Sequence, residues 1–488
     1  MTIPNLEKTK ASSIIGTIVE GGYCIGCGAC AASPSSPFVI NMDEYGCLRA
    51  ELDPDCNDLK QAEEEAALEV CPFSGHGPDE DEFGHELYGK DDECQKHERI
   101  GFHRATYAGH VTEHGYRERG SSGGMGSWIL SELLRLDEID AVIHVGAASS
   151  KDKGRLFEFK ISRTHEEINA RAKSRYYPVE MSQVLHEVFE RPERYALVGL
   201  PCFIKAFRLL ARQNPTIHER VPYTLAIVCG HLKSTRFADL FSWQCDIQPG
   251  NLRAIDFRKK IDGQPASQYG IEVKGLSDDK EIVALKSNTE YYGGNWGHGF
   301  FKYSACDYCD DVLGETADVA VGDAWLPGYV EDWKGTNIIV VRNLRIDEII
   351  RKGIREDRLQ LDAIDADTIA ASQEGGLRHR REGLAYRLLL KDQAGSWRPQ
   401  KRVEAHEDHL TKKQKNIFRL RIDLAAMSHV AFAKALEAGR FEDFIALLKP
   451  LLKQYDALFA PPLLKRIRWV ISRSIKAILA LLFTDKKS

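Results

Sequence analysis

Three cysteines spaced C-x2-C-x2-C, Cys24, Cys27 and Cys30 in YCIGCGAC, constrain this chain more than any other feature. With the distant Cys71-Pro72 they reproduce the spacing that holds a cubane iron–sulfur cluster. Short gaps let one loop wrap a cluster corner, and the Cys-Pro pair brings the fourth thiolate. Gly26 and Gly28 lack a Cβ, so the backbone can turn tightly and aim N–H groups at sulfur. Cys47 and Cys56 are the alternative fourth ligands, although a proline after the last cysteine suits Cys71 better. Cys94 and Cys245 have no motif around them and read as packing or surface thiols.

Twelve cysteines in 488 residues are too sparse for a disulfide scaffold, and their clustering favours metal ligation in a reducing compartment. A chain of this length has room for roughly two to four domains. The formal net charge of −6 argues against general nucleic-acid binding, which needs a basic balance. The N-terminus shows no apolar stretch before a small-residue cleavage site, and no run approaches the roughly 20 apolar residues of a membrane span. The expected location is cytoplasmic.

Residues 1–100 read as a small cysteine-bearing module that ends near the acidic PDEDEFGHEL. Short apolar runs then alternate with helical patterns: SWILSELLRL helix, AVIHVGAA strand, RYALVGLPC strand and turn, FIKAFRLLARQ helix, YTLAIVCG strand, STRFADLFSWQ helix, ADVAVGDAW strand. Such alternation predicts an α/β fold. Residues 346–488 read as a mostly helical extension richer in Lys and Arg.

On these elements Cys202 follows the strand YALVGL and Cys229 follows TLAIV, each just before a helix. In open α/β sheets that carboxyl-end rim is where ligands collect. Together with Cys306 and Cys309 of SACDYC they make a second set of four thiols. Taken alone, Cys202 and Cys229 are equally readable as buried packing thiols, and CDYC suits zinc or a redox dithiol as well as iron–sulfur.

From about residue 104 to 345 the chain resembles the beta subunits of coenzyme F420-reducing hydrogenases and dehydrogenases, a family that includes the plant 7-hydroxymethyl chlorophyll reductase. The matching blocks, in order, are GSSGGMGS (120–127), ARAKSRYYP (170–178), GLPC (199–202), VCGH (228–231) and CDYCDDVLGETADVAVGD (306–323). The N-terminal module is similar to the ferredoxin-like one of the reductase branch. The resemblance implies FAD, a 4Fe-4S cluster on Cys202, Cys229, Cys306 and Cys309, and a second cluster on the N-terminal thiols. It divides the middle of the chain into a flavin-binding part (101–185) and a cluster-binding part (186–345). The expected function is an iron–sulfur flavoprotein oxidoreductase, passing electrons from a ferredoxin-like donor or partner redox subunit through two clusters to FAD and a small organic acceptor. An F420-linked enzyme, a relay subunit of a larger complex and a zinc-stabilised binding protein are the alternatives.

GSSGGMGSWILSELL puts Gly120, Ser121, Ser122, Gly123 and Gly124 directly before an amphipathic helix, whose free N–H groups attract phosphate. It is not G-x-G-x-x-G, and a plain turn with a helix cap explains it equally well. With the resemblance, the loop becomes a cradle for the FAD pyrophosphate. KSRYYP adds Lys173, Ser174, Arg175, Tyr176 and Tyr177: two cations for phosphate and two aromatics for a flat ring, or else an exposed loop with a buried tyrosine. Asp323 reads first as a turn cap, His231 and His298 as loop histidines. The tail from Pro461 carries Leu464, Ile467, Ile471, Ile475, Ile478 and Leu482 at helical spacing among basic residues. Residues 461–483 therefore suit packing on the protein's own body, peripheral contact with an anionic membrane, or a partner.

Overall fold

The computed structural model describes residues 10–56, 58–149 and 154–460, and the cationic segment 461–483 lies outside them. The N-terminal region begins with a helical turn, Ile14–Val19, capped by the Ser13 hydroxyl. The cysteine loop follows, then the hairpin β1 (Phe38–Met42) and β2 (Leu48–Leu52) and the helix Gln61–Val70, whose end is Cys71. The acidic stretch is a helix, Glu80–Tyr88, because Asp79 accepts from the backbone N–H groups of Asp81 and Glu82 and its carboxylates face the positive helix end. A small hairpin, β3 (Gln95–His97) and β4 (Gly101–His103), leads into the body.

The body is an eight-stranded mixed sheet. Its first five strands in the chain are β5 (Ala105–Val111), β6 (Ala141–Ala147), β7 (Phe157–Ser162), β8 (Tyr195–Gly199) and β9 (Tyr223–Ile227). A separate antiparallel sheet of β10 (Leu252–Lys259), β11 (Gly270–Ser277) and β12 (Lys280–Ser287) intervenes. The main sheet resumes with β13 (Val319–Asp323), β14 (Asn337–Val341) and β15 (Leu359–Ala363), in the order β15-β5-β14-β13-β9-β8-β6-β7. The central four, β13, β9, β8 and β6, run parallel. Their sequences are near-continuous apolar runs because both faces are covered.

Alternate residues feed two cores. Ile143 and Leu197 pack toward Phe203 and Phe207 of the helix Pro201–Gln213. Val142 and Ala196 face Trp128 and Ile129 of the helix Met125–Arg135. A third core joins β10 and β11 to the helix Lys412–Ala438 through Phe257, Val273, Phe301 and Phe432.

The fold is thus the expected α/β mixture with a helical carboxyl-terminal region. Among the described residues that region is interrupted once, by β15, which borders the sheet by pairing antiparallel with β5 (Leu359 opposite Val111). Among the described residues no helix is long and apolar enough to cross a membrane.

Candidate cofactor site

Cys24, Cys27, Cys30 and Cys71 line one cavity, walled by Ile14, Ile18, Ile40 and Phe73. Gly26 and Gly28 sit at φ +61° and +84°, and a Cβ on Gly26 would meet the Leu48 carbonyl at 2.4 Å. The loop can therefore close only with glycine here. As its geometry anticipates, the N–H groups of Gly26 and Ala50 point at the Cys24 sulfur, at 3.4 and 3.5 Å. Cys47 does not line this cavity. It lies buried near Tyr303, whose hydroxyl accepts from the Leu48 N–H at 2.6 Å, while Cys56 is half-buried after β2.

Cys202, Cys229, Cys306 and Cys309 line a second cavity. Cys202 stands in the first turn of the helix after β8, begun by Pro201, and Cys229 follows β9. Because β8 and β9 are adjacent parallel strands, their carboxyl ends deliver both thiols to one rim. The turn Ser304–Tyr308 brings Cys306, which accepts from the Leu232 N–H at 3.3 Å. Burial pushes the Cys229 thiol up to about 12 and Cys306 to about 11, and Cys71 of the first set to about 12. Thiolates in such apolar chambers need a cationic centre to hold them. Among the described residues, no group of three or more His, Cys, Asp or Glu side chains is placed to hold a metal ion. The thiols stand around cavity walls instead.

The two cavities are back to back, with Ile25 and Phe73 in the walls of both. Beside that partition the rings of Tyr23 and Tyr308 meet edge-on at 5.0 Å, each next in sequence to a thiol. Residues from the carboxyl-terminal region close over the joint. The Tyr23 hydroxyl donates to the Trp397 carbonyl at 2.9 Å. The Lys401 ammonium lies 4.9 Å over the Phe73 ring and 3.1 Å from Asp310. Arg380 lines the second cavity. None of these carried a motif.

The Gly/Ser loop and KSRYY do meet, since the Ser121 hydroxyl accepts from the Ser174 N–H at 2.9 Å. Much of the loop is committed to the protein itself. The Ser122 hydroxyl donates to the Thr336 carbonyl, and the Asn337 side chain takes the Met125 N–H at the helix start. A Cβ on Gly123 would lie 2.7 Å from the Gly109 carbonyl, and one on Gly124 would strike the Tyr116–Arg117 backbone at 2.7–2.8 Å. Gly120 ends the short turn Tyr116–Arg119. Lys173 pairs with Asp256 at 3.0 Å, and Arg175 stacks on Phe157 at 4.9 Å with its buried Nε unpartnered among the described residues.

The cation nearest the loop is one that sequence reasoning missed. Lys260 Nζ donates to the carbonyls of Arg117 and, at 2.9 Å, Ser122. Burial, with Lys173 and Arg117 nearby, pulls its ammonium down to about 7. Lys173 and Arg117 have carboxylate partners, Asp256 at 3.0 Å and Asp332 at 2.6 Å, and among the described residues Lys260 has none, so Lys260 is the cation that an anion here would meet.

Tyr176 sits in an aromatic nest, 4.8 Å from Trp296, which in turn stands 4.6 Å from His231. His231 follows Cys229 by two residues, so this nest links the KSRYY segment to the second thiol set. The Tyr176 hydroxyl accepts from Arg258 at 3.2 Å. Asp323 ends β13 but is not the turn cap expected of it. Arg258, arriving from β10, grips it through two bonds of 2.9 and 3.0 Å. His298, 5.5 Å from Phe300 and Tyr455, belongs to the third core.

A mixed sheet with one thiol set at its strand ends, a second set back to back with it and an aromatic nest beside it is a scaffold suited to an oxidoreductase. The chain belongs to the family of coenzyme F420 hydrogenase/dehydrogenase beta subunits: the N-terminal profile of that family matches residues 106–186 and its C-terminal profile residues 192–367. It is similar to one subunit of the F(420)H(2) dehydrogenase of Methanosarcina mazei, 25% identical over 219 residues, which are 44% of this chain and 55% of that protein. The match thus spans just over half the length of that curated relative. A chain of the F420-reducing [NiFe] hydrogenase complex from Methanosarcina barkeri aligns over 65% of this chain and 100% of its own length, with 14% identity and a TM-score of 0.45.

Proposed function

We propose that this chain is an iron–sulfur flavoprotein oxidoreductase that carries electrons between a ferredoxin-like donor or partner subunit and a small organic acceptor. The observation that carries this reading is the pair of four-thiol cavities sharing Ile25 and Phe73 as a wall. Four sulfurs around an apolar chamber, with backbone N–H groups turned on Cys24 and Cys306, form a donor set suited to a 4Fe-4S cluster. When bound, the clusters supply one-electron steps, and FAD supplies exchange between one- and two-electron chemistry.

This chain's residues do the rest. Ile25 and Phe73 keep the two thiol sets apart yet adjacent and exclude water between them. Lys173, Lys260 and Arg117 offer charge for a pyrophosphate beside Ser121 and Ser174. Tyr176, held by Arg258 and Trp296, offers a flat wall on the way to Cys229.

A second reading, an electron relay within a larger assembly with F420 as acceptor, is favoured by the relative that is named as a subunit of a dehydrogenase. Anaerobic purification with iron, sulfide and flavin assays tests the first reading. The expected result is about eight irons and one FAD per chain, four irons for each cubane. A colourless protein overturns it. Turnover of a dye or deazaflavin by the isolated chain favours the enzyme, and activity appearing only with copurifying proteins favours the relay.

A further inference from the structure

We propose that Arg380 ranks the two thiol sites, making the second the stronger electron acceptor of the pair. The inference rests on the reading that each cavity holds a cubane cluster.

Arg380 ends the helix Glu374–Arg380 and is 1% exposed. It lines the second cavity together with Cys202, Cys229, Cys306 and Cys309. One arm of its guanidinium donates to the Gly230 carbonyl at 2.6 Å, next to Cys229, and the Nε has no hydrogen-bond partner among the described residues. No carboxylate among the described residues pairs with it. Of the other buried cations nearby, Lys302 pairs with Asp307 at 2.6 Å and Lys401 with Asp310 at 3.1 Å, while Lys233 donates to the Phe300 carbonyl at 2.6 Å and lies over the Phe237 and Trp296 rings without lining the cavity. Arg380 thus brings to the sulfurs a positive charge with no carboxylate bonded to it among the described residues.

A guanidinium stays protonated even when buried. In a low-dielectric chamber its charge favours whichever state of the neighbouring centre holds one electron more. Asp311 also lines this cavity and opposes the effect. Its oxygens, however, are engaged by the N–H groups of Leu313, Gly314 and Glu315, at 2.8–2.9 Å. Among the described residues, none that lines the first cavity carries a charge. One electron leaving the first site and arriving at the second therefore runs downhill. No bond breaks and no proton moves. Arg380 also lies beyond residue 367, where the family profile ends, so the bias belongs to this chain's carboxyl-terminal region.

The test uses the full chain, purified anaerobically, with Arg380→Gln and Arg380→Lys. Glutamine can still donate to the Gly230 carbonyl while removing the charge, and lysine keeps the charge without the fork. Redox titration followed by electron paramagnetic resonance reads each site, alongside iron and sulfide counts. Arg380→Gln should keep its iron and leave the first site unchanged. The sharing of an electron between the sites should move at least tenfold toward the first, which is about 59 mV for a one-electron couple. Arg380→Lys should restore most of the difference. Sharing that stays within twofold in Arg380→Gln, equal shifts in both variants, or second-site iron lost from both overturns the proposal. Failure of the underlying reading is distinguishable, because wild-type protein would then itself lack the two clusters.

Discussion

The two thiol cavities are built in opposite ways. The first draws three sulfurs from seven consecutive residues and the fourth from a helix end close by, so its shape is a property of one loop and two glycines. The second gathers Cys202, Cys229, Cys306 and Cys309 from two strand ends and a distant turn, and exists only once β8, β9 and β13 lie side by side. A locally encoded site should fail alone. A site encoded by the sheet should fail only with its own ligands or with the sheet.

The widest expected effect separates them directly. Cys306→Ser should remove about half of the iron and leave the N-terminal set loaded, whereas Cys27→Ser should do the reverse. Iron counts with resonance spectra check this, and loss of all iron from either variant breaks the claim of independence.

Gly28→Ala comes next. Its φ of +84° and the Ser182 backbone 2.9 Å from an added Cβ should cost about 1–3 kcal/mol and empty the first site while sparing the second. Denaturant unfolding and iron content read both.

A third site, assembled by packing as the second is, is the cationic loop. Lys260→Met should weaken flavin binding by about tenfold, as loss of one charge-assisted contact does. Because the free protein holds Lys260 at about 7, an anion bound beside it restores the proton. Binding therefore takes up a proton above pH 7, and affinity should fall as pH rises from 7 toward 10, by at most about tenfold per unit. Flavin fluorescence titrations across that range decide it, and a flat profile removes Lys260 from the site.

The smallest effect lies at the joint. Tyr23→Phe deletes the bond to the Trp397 carbonyl and should cost about 1 kcal/mol in denaturant unfolding without loss of iron.

The strand and helix alternation of the sheet was legible because central parallel strands must be apolar on both faces, and β8 and β9 are. Cys202 and Cys229 could be placed at strand ends for the same reason. Lys260, Arg258 and Arg380 were not legible. Each is one cation among 66 Lys and Arg, marked only by the carbonyl, carboxylate or sulfur it meets. The glycines of the GSSGG loop were legible as a turn. Their use, making room for the Gly109 carbonyl and the Tyr116–Arg117 backbone, depended on neighbours far along the chain. Asp323 misled because a carboxylate after a strand commonly caps a turn, and only β10 brings the arginine that takes it.

Sequence by itself determined the eight thiols as candidates, the tight loop that spaces three of them, and the α/β layering, since spacing and hydrophobic period are local properties of a chain. Tertiary structure alone decided that the two sets share a wall, that Tyr23 meets Tyr308, and that a region past the family match lays Trp397, Lys401 and Arg380 over them. Those contacts join segments hundreds of residues apart. Nothing in a one-dimensional pattern records them, because packing is chosen by shape and charge across the whole folded core.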